Sequence, residues 1–124
     1  MNLLIVDDSK AMRMLIRRAL RQAGIAVDRC VEAASASEAL KETESASFDF
    51  ILCDWNMPGM LGIELLETLR DRGSRVRFGF ITSERSPEVH QRARNAGASF
   101  IVTKPFTPEV LADAFAAVKV PVAV

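Results

Sequence analysis

Cysteine and histidine are scarce in this 124-residue chain: Cys30, Cys53 and His90 are the only ones. The cysteines lack Cys-x-x-Cys spacing and clustered histidines, which excludes a zinc-type cluster and a disulfide framework. They read as reduced core thiols of a cytoplasmic protein. Net charge is missing as well. The 16 acidic and 16 basic residues cancel, so no global field draws the chain to nucleic acid or to an anionic membrane. No apolar run reaches the ~18 residues of a membrane helix, and Met1 leads directly into a strand pattern, so no signal peptide is visible. Repeats, low-complexity segments and linkers are absent too. The length suits one domain over residues 1–124, with no room for a second, output domain.

What is present is 49% hydrophobic residues, gathered into short runs that stop at polar residues. The central run, Phe48-Asp49-Phe50-Ile51-Leu52-Cys53, ends at Asp54 and is followed by Trp55-Asn56-Met57 and a Pro58-Gly59 turn. That pattern predicts a buried strand delivering Asp54 to its C-terminal tip. Leu3-Leu4-Ile5-Val6 runs into Asp7-Asp8-Ser9, Phe78-Gly79-Phe80-Ile81 into Thr82-Ser83, and Phe100-Ile101-Val102 into Thr103-Lys104-Pro105. Asp28 to Ala33 reads as a further strand at a sheet edge, with Cys30 and Glu32 on alternate sides.

Helices fall between these strands. Ser9 caps the first, whose core stripe is Met12, Ile16, Ala19, Leu20 and Ala23. Arg13, Arg17 and Arg21 lie on its opposite face and read as solvated. Ser35 or Ser37 starts the second. Gly62 opens the third, with Ile63, Leu66 and Leu69 inward. Pro87 sits in the first turn of the fourth. Thr107 caps the fifth, with Pro108 at its first position and Val110, Leu111, Ala114 and Val118 inward. Gly24, Gly73 and Gly97 act as stops. Pro121 ends the last helix, and Val122-Ala123-Val124 reads as a frayed tail. Strand and helix therefore alternate five times, which argues an α/β fold with a parallel sheet covered on both faces. In such a sheet the strand C-termini form the ligand crevice, so Asp7, Asp8, Asp54, Thr82 and Lys104 should converge at one edge.

Each tip alone has a bland reading. A lone strand-end Asp is commonly a turn residue, Asp-Asp-Ser can simply cap a helix, and Lys104-Pro105 can be a simple turn. The combination is harder to dismiss. Two unit charges ~5 Å apart repel by roughly 3 kcal/mol at an effective dielectric of about 20, equivalent to about two pKa units on one of them. Either one carboxyl stays protonated or a cation sits there. All-oxygen ligands suit a hard ion, and a sparse set suits hydrated Mg²⁺ better than a Ca²⁺ cage. A carboxylate nucleophile, a divalent metal, a lysine and a hydroxyl together are the parts for phosphoryl transfer.

Val6-Asp7-Asp8-Ser9, Asp54-Trp55-Asn56-Met57-Pro58-Gly59, Ile81-Thr82-Ser83-Glu84 and Thr103-Lys104-Pro105-Phe106 together resemble a response-regulator receiver domain of the stand-alone, CheY-like kind. The resemblance runs from Leu3 to about Val118. It implies a flavodoxin-like doubly wound five-stranded parallel sheet in the order 2-1-3-4-5 with five helices. It implies that Asp54 is the phosphoacceptor, taking its phosphoryl group from a sensor histidine kinase or phosphotransfer protein, or from a small acyl phosphate. Asp8, Asp54 and the backbone carbonyl of Asn56 would hold Mg²⁺, with Asp7 acting through water. Lys104 would pair with the phosphoryl oxygens, and the Lys104-Pro105 peptide would be cis. Thr82 would bond the phosphoryl group and shift toward it. Asn56 and Glu84 would tune how fast the acyl phosphate hydrolyses. The implied product is a monomeric signalling switch, not a turnover enzyme. It would present the fourth helix, fifth strand and fifth helix to a downstream target through Val89, Arg92, Ile101, Thr103 and Phe106.

Departures from the family pattern carry expectations of their own. Ile101 stands where an aromatic switch residue is common, and Phe100 belongs to the other face. Leu61 replaces the usual acidic or amide residue before Gly62, which predicts a weakly started third helix and an apolar side chain exposed beside the site. Trp55 reads as a partly exposed cover. A haloacid-dehalogenase-type enzyme would need an Asp where Asn56 stands. A flavodoxin-like cofactor carrier would have its phosphate repelled by Asp7-Asp8. A pseudo-receiver binding module and a phosphorelay intermediate are the remaining alternatives.

Overall fold

The computed structural model describes residues 1–118; the readings of Pro121 and of Val122-Ala123-Val124 lie outside the described residues. Ten elements alternate along them: β1 (Asn2–Val6), α1 (Lys10–Gln22), β2 (Arg29–Ala33), α2 (Ala36–Ser45), β3 (Phe50–Cys53), α3 (Gly62–Asp71), β4 (Arg77–Thr82), α4 (Pro87–Asn95), β5 (Phe100–Thr103) and α5 (Pro108–Ala117). The strands pair in parallel in the order β2-β1-β3-β4-β5. This is the flavodoxin-like doubly wound arrangement. The apolar runs are unbroken because β1, β3 and β4 are covered on both faces.

Alternate residues of these strands feed two cores. Leu3, Ile5, Phe50, Leu52 and Ile81 pack under α1 and α5. Leu4, Val6, Ile51, Cys53, Phe78 and Phe80 pack under α2, α3 and α4. In the first core, Phe50 lies 5.4 Å from Phe100 and 4.8 Å from Phe115, ring centre to ring centre. Gly79 makes room for that group, since a Cβ there would come within 2.4 Å of the Phe100 ring.

Helix starts follow the hydroxyl caps: Ser9, Ser35, Ser86 and Thr107 each accept the N–H three residues on, an exchange worth about 1 kcal/mol per cap. Helix α3 differs. The Leu61 side chain has no oxygen to accept an N–H, but the Glu64 carboxylate accepts the Leu61 N–H at 3.0 Å and supplies half of a capping box.

Several sequence expectations need correction. Leu61 is half-buried against the α2–α4 core rather than exposed beside the site. Trp55 is 5% exposed, its ring 5.0 Å from that of Phe80, so it is a core residue and not a cover. Val110 points outward at 44% exposure, and Phe115, fully buried, fills the α5 stripe in its place.

Cys30 and Glu32 share a face, as residues two apart on a strand must, and that face meets α1. Glu32 accepts Arg13 Nε at 2.8 Å and Arg17 Nη1 at 2.5 Å, so these two arginines are not a solvated row. Burial works to raise the Glu32 carboxyl, but the hydrogen bonds from Arg17 and Arg13 outweigh it and hold it below the ordinary carboxylate range. A depressed carboxylate adds stability above its unfolded pKa, near 4.3, and that stability is lost as pH falls through the lower folded value. Glu32→Gln should therefore cost about 1 kcal/mol at neutral pH. The difference from wild type should close in urea titrations run below pH 4; a gap that stayed constant with pH would contradict the ion-pair account.

Candidate functional site

Parallel register gathers the strand tips. Val6 is paired with Cys53, so Asp7 and Asp54 each leave the sheet one residue later, side by side. Thr82 is paired with Thr103, and the Lys104 N–H donates to the Thr82 carbonyl at 2.8 Å. All five tip residues thus lie at the C-terminal edge of the sheet, where an open α/β fold places its crevice.

Each side chain is held there by named partners. Asp7 is 2% exposed; its Oδ1 accepts the Ser9 N–H at 2.9 Å and its Oδ2 lies 3.3 Å from Lys104 Nζ. Its carbonyl accepts Arg13 Nη1 at 2.6 Å, which ties α1 to the site. Asp54 Oδ1 accepts the Trp55 N–H at 2.7 Å, and Oδ2 lies 3.3 Å from the same Lys104 Nζ. Asp8 is exposed. Oxygens of Asp7, Asp8 and Asp54 all fall within 4.8 Å of one another.

Burial pushes the Asp54 carboxyl above its ordinary range; Lys104 pulls it back, and the charge of Asp7 pushes it up again. The result is a basic, oriented carboxylate at the rim of a pocket that repels its own charge. Burial also pushes the neighbouring Cys53 thiol well up, which leaves it inert as a nucleophile. Its Sγ donates to the Asp54 carbonyl at 3.0 Å.

Beyond the carboxylates, Asn56 Nδ2 donates to Glu84 Oε1 at 2.6 Å, and the Glu84 N–H donates to Thr82 Oγ1 at 3.2 Å. Thr82 is fully buried. This chain links the loop after β3 to the loop after β4. Among the described residues the Asn56 carbonyl accepts no hydrogen bond. The Lys104-Pro105 peptide is cis. Ile101 is half-buried against the Trp55 and Phe80 core, while Phe100 lies in the opposite core with Phe50. Of the expected readout residues, Arg92 pairs with Glu67 of α3, with Nη2 to Oε1 at 2.9 Å, and Phe106 is partly buried against the α1–α5 core.

The donor set fits a hard divalent cation. It consists of oxygens alone, no histidine or thiolate competes, and a cation would relieve the repulsion that Lys104 offsets only in part.

A family model described as the response regulator receiver domain matches residues 3–116. The chain belongs to this family. Curated relatives agree: the receiver is 39% identical over 115 residues to the chemotaxis protein CheY of Pseudomonas aeruginosa, covering 91% of each chain. It is 36% identical to the chemotaxis protein CheY-3 of Vibrio cholerae, covering 91% of this chain and 87% of that one. Among solved structures, CheY4 of Vibrio cholerae superposes with a TM-score of 0.82 at 34% identity, over 97% of this chain and 98% of that one. The receiver domain of Francisella response regulator 1452 gives a TM-score of 0.82 at 27% identity, over 95% and 96%. Receiver domains are signalling switches phosphorylated on an aspartate, and they bind Mg²⁺ in an acidic pocket. No helix among the described residues is long and apolar enough to cross a membrane.

Sequence reasoning missed three supports of the site. Arg13 looked like one of a solvated row, Cys53 like an ordinary core thiol, and Gly62 like a helix start. A Cβ on Gly62 would lie 2.0 Å from the Asp54 carbonyl oxygen. The available signal was a glycine at a helix start, where no special backbone angle calls for one.

Proposed function

We propose that Asp54 of this receiver accepts a phosphoryl group from the phosphohistidine of a sensor kinase or phosphotransfer protein. The carrying observation is that the Asp54 carboxylate, made basic by burial, lies against Lys104 and the Asp7–Asp8 pair at the tip of β3. An Asp54 oxygen attacks phosphorus as the P–N bond breaks. The electron pair leaves on the imidazole nitrogen, which takes a proton, and Asp54 becomes an acyl phosphate. Attack by water later returns the carboxylate and inorganic phosphate.

Asp8, Asp54 and the free Asn56 carbonyl would hold Mg²⁺, with Asp7 acting through water. Bound there, the ion supplies charge neutralisation for the phosphoryl oxygens. Lys104 turns from the Asp7–Asp54 pair to the phosphoryl oxygens. Thr82 Oγ1 already accepts from Glu84, so its proton is left to donate to the phosphoryl group. Drawing Thr82 inward strains the Glu84 contact and moves the loop leading into α4. The bonded Asn56–Glu84 pair flanks the approach of water and sets how long the acyl phosphate lasts.

The added charge, about −1.5 to −2 near neutral pH, biases the α4–β5–α5 face by no more than its differential interaction with the two states. Val89, Ile101 and Thr103, with the outward Val110, form that face for a downstream target protein of a chemotaxis-type pathway. Arg92, paired with Glu67, and Phe106, partly buried, flank it. The receiver acts as a monomer and assists its own phosphorylation and dephosphorylation.

Treatment with a small acyl phosphate should add one phosphoryl group per chain by intact mass, only with Mg²⁺ present and not after chelation. Full labelling in a chelator would contradict the metal assignment. No labelling under any condition would leave a binding module that works without phosphorylation.

A further inference from the structure

A second charged surface lies at the other end of the sheet. From Arg70 to Arg77 the chain carries Arg70, Arg72, Arg75 and Arg77 against a single carboxylate, Asp71. Arg72 is paired with Glu44 at 3.3 Å. Arg70 is half-buried, with its guanidinium on the carbonyls of Ser74 and Gly97. Among the described residues Arg75 and Arg77 make no ion pair. Asp49 lines the same surface and keeps its charge; its carboxylate accepts the Asn2 N–H at 2.6 Å and pairs with neither arginine.

Arg70, Arg75 and Arg77 line adjacent open concavities that share lining residues. One, of about 420 Å³, lies between Arg70, Ser74 and Arg75. It shares Arg75 with a second, of about 450 Å³, that continues past Val76 and Arg77 to Phe48. A third shares Ser74, Phe48 and Val76 with these two. Phe48 and Val76 are both half-buried, so they present apolar surface between the guanidiniums. Arg29, placed over the Phe48 ring at 5.9 Å, adds charge at the far side. Burial and the nearby charge of Arg75 both work against ionisation of the Arg70 guanidinium.

We propose that this groove docks an extended acidic segment of a partner protein, one carrying an apolar side chain among its carboxylates. The carboxylates would pair with Arg75, Arg77 and the open edge of Arg70, in the two-pronged geometry that guanidinium favours. The apolar side chain would seat between Phe48 and Val76. A single small anion would fill only one of the adjacent concavities, whereas an extended segment follows the run. Strand β4 separates the groove from the Asp54 pocket by six residues, about 20 Å. Docking here therefore leaves the phosphoacceptor pole open, and the surface serves to hold the receiver near its partners in either state.

The test is a titration of the whole ¹⁵N-labelled chain with a seven-residue Glu/Asp peptide bearing one central Phe, followed by amide shifts. Shifts should be saturable and centre on Phe48 and residues 74–77. Arg75→Glu should weaken binding at least tenfold and Arg75→Gln several-fold, with both variants keeping wild-type melting and acyl phosphate labelling. Arg18→Glu, on exposed α1, should change nothing, and replacing the peptide's Phe by Ala should weaken binding several-fold. The proposal is overturned if no saturable shifts appear up to millimolar peptide. It is also overturned if the shifts centre on α1 or Lys104, or if binding is indifferent to Arg75→Glu or to loss of the Phe.

Discussion

Gly62→Ala is expected to destabilise the receiver by about 3 kcal/mol or more, the upper end of what overpacking costs. Gly62 opens α3, and its N–H donates to the Trp55 carbonyl at 2.9 Å. That bond pulls the helix start onto the loop that follows Asp54. An added Cβ would sit 2.0 Å from the Asp54 carbonyl oxygen and 3.0 Å from Cys53 Sγ. The first neighbour is backbone and the second is locked in the core, so neither can swing aside. Gly73 makes the comparison. Its φ of +85° strains any L side chain, but nothing lies within 4 Å of a Cβ there, so Gly73→Ala should cost only about 1 kcal/mol. Urea denaturation of the two variants should rank Gly62→Ala well below Gly73→Ala. The reverse order would mean that α3 does not approach Asp54 as closely as described.

Lys104→Ala should slow labelling by a small acyl phosphate about 10²–10³-fold, the usual loss on removing one fixed positive partner from a developing anion. Lys104 Nζ lies 3.3 Å from both Asp7 Oδ2 and Asp54 Oδ2, so it is the carboxylates' counterion, and in the proposed transfer it becomes the phosphoryl partner. The same substitution leaves the buried Asp7 facing Asp54 with less compensation, and Mg²⁺ should then bind more tightly. Single-turnover mass spectrometry across a Mg²⁺ series separates the two effects. A rate within threefold of wild type at saturating Mg²⁺ would remove Lys104 from the chemistry.

The tips of the sheet were legible because a parallel strand buried on both faces writes itself as an unbroken apolar run, and the residue that ends it is the one delivered to the crevice. Asp7, Asp54, Thr82 and Lys104 could be named on that ground alone. What the pattern did not show was which neighbour each helix face meets. Arg13 and Arg17 lie off the core stripe of α1, but periodicity could not reveal that the flank they occupy overhangs β2 and Glu32. For Cys30 and Glu32 the alternation of a strand was misapplied, since positions two apart share a face.

Trp55 and Leu61 belong to the loop between β3 and α3, where no period exists, and only the folded chain shows that both turn back into the α2–α4 core. Val110 and Phe115 both fit a helical stripe within one residue. The crowding of Phe50, Phe100 and Phe115 over Gly79 decides which is inside. Gly62 is the clearest case of information carried by an absent side chain. A sequence shows that a glycine is there, and only packing shows what would occupy its missing Cβ.

The central claim is that the phosphoryl group is carried by Asp54 and by no other carboxylate of the acidic pocket. The most direct measurement is acyl phosphate labelling in Mg²⁺ of wild type and of Asp54→Asn, read by intact mass and by peptide mapping under conditions that preserve acyl phosphates. Wild type should gain one phosphoryl group, mapped to the peptide containing Asp54, and Asp54→Asn should gain none. A label of equal stoichiometry in Asp54→Asn, mapped to Asp7 or Asp8, would contradict the account.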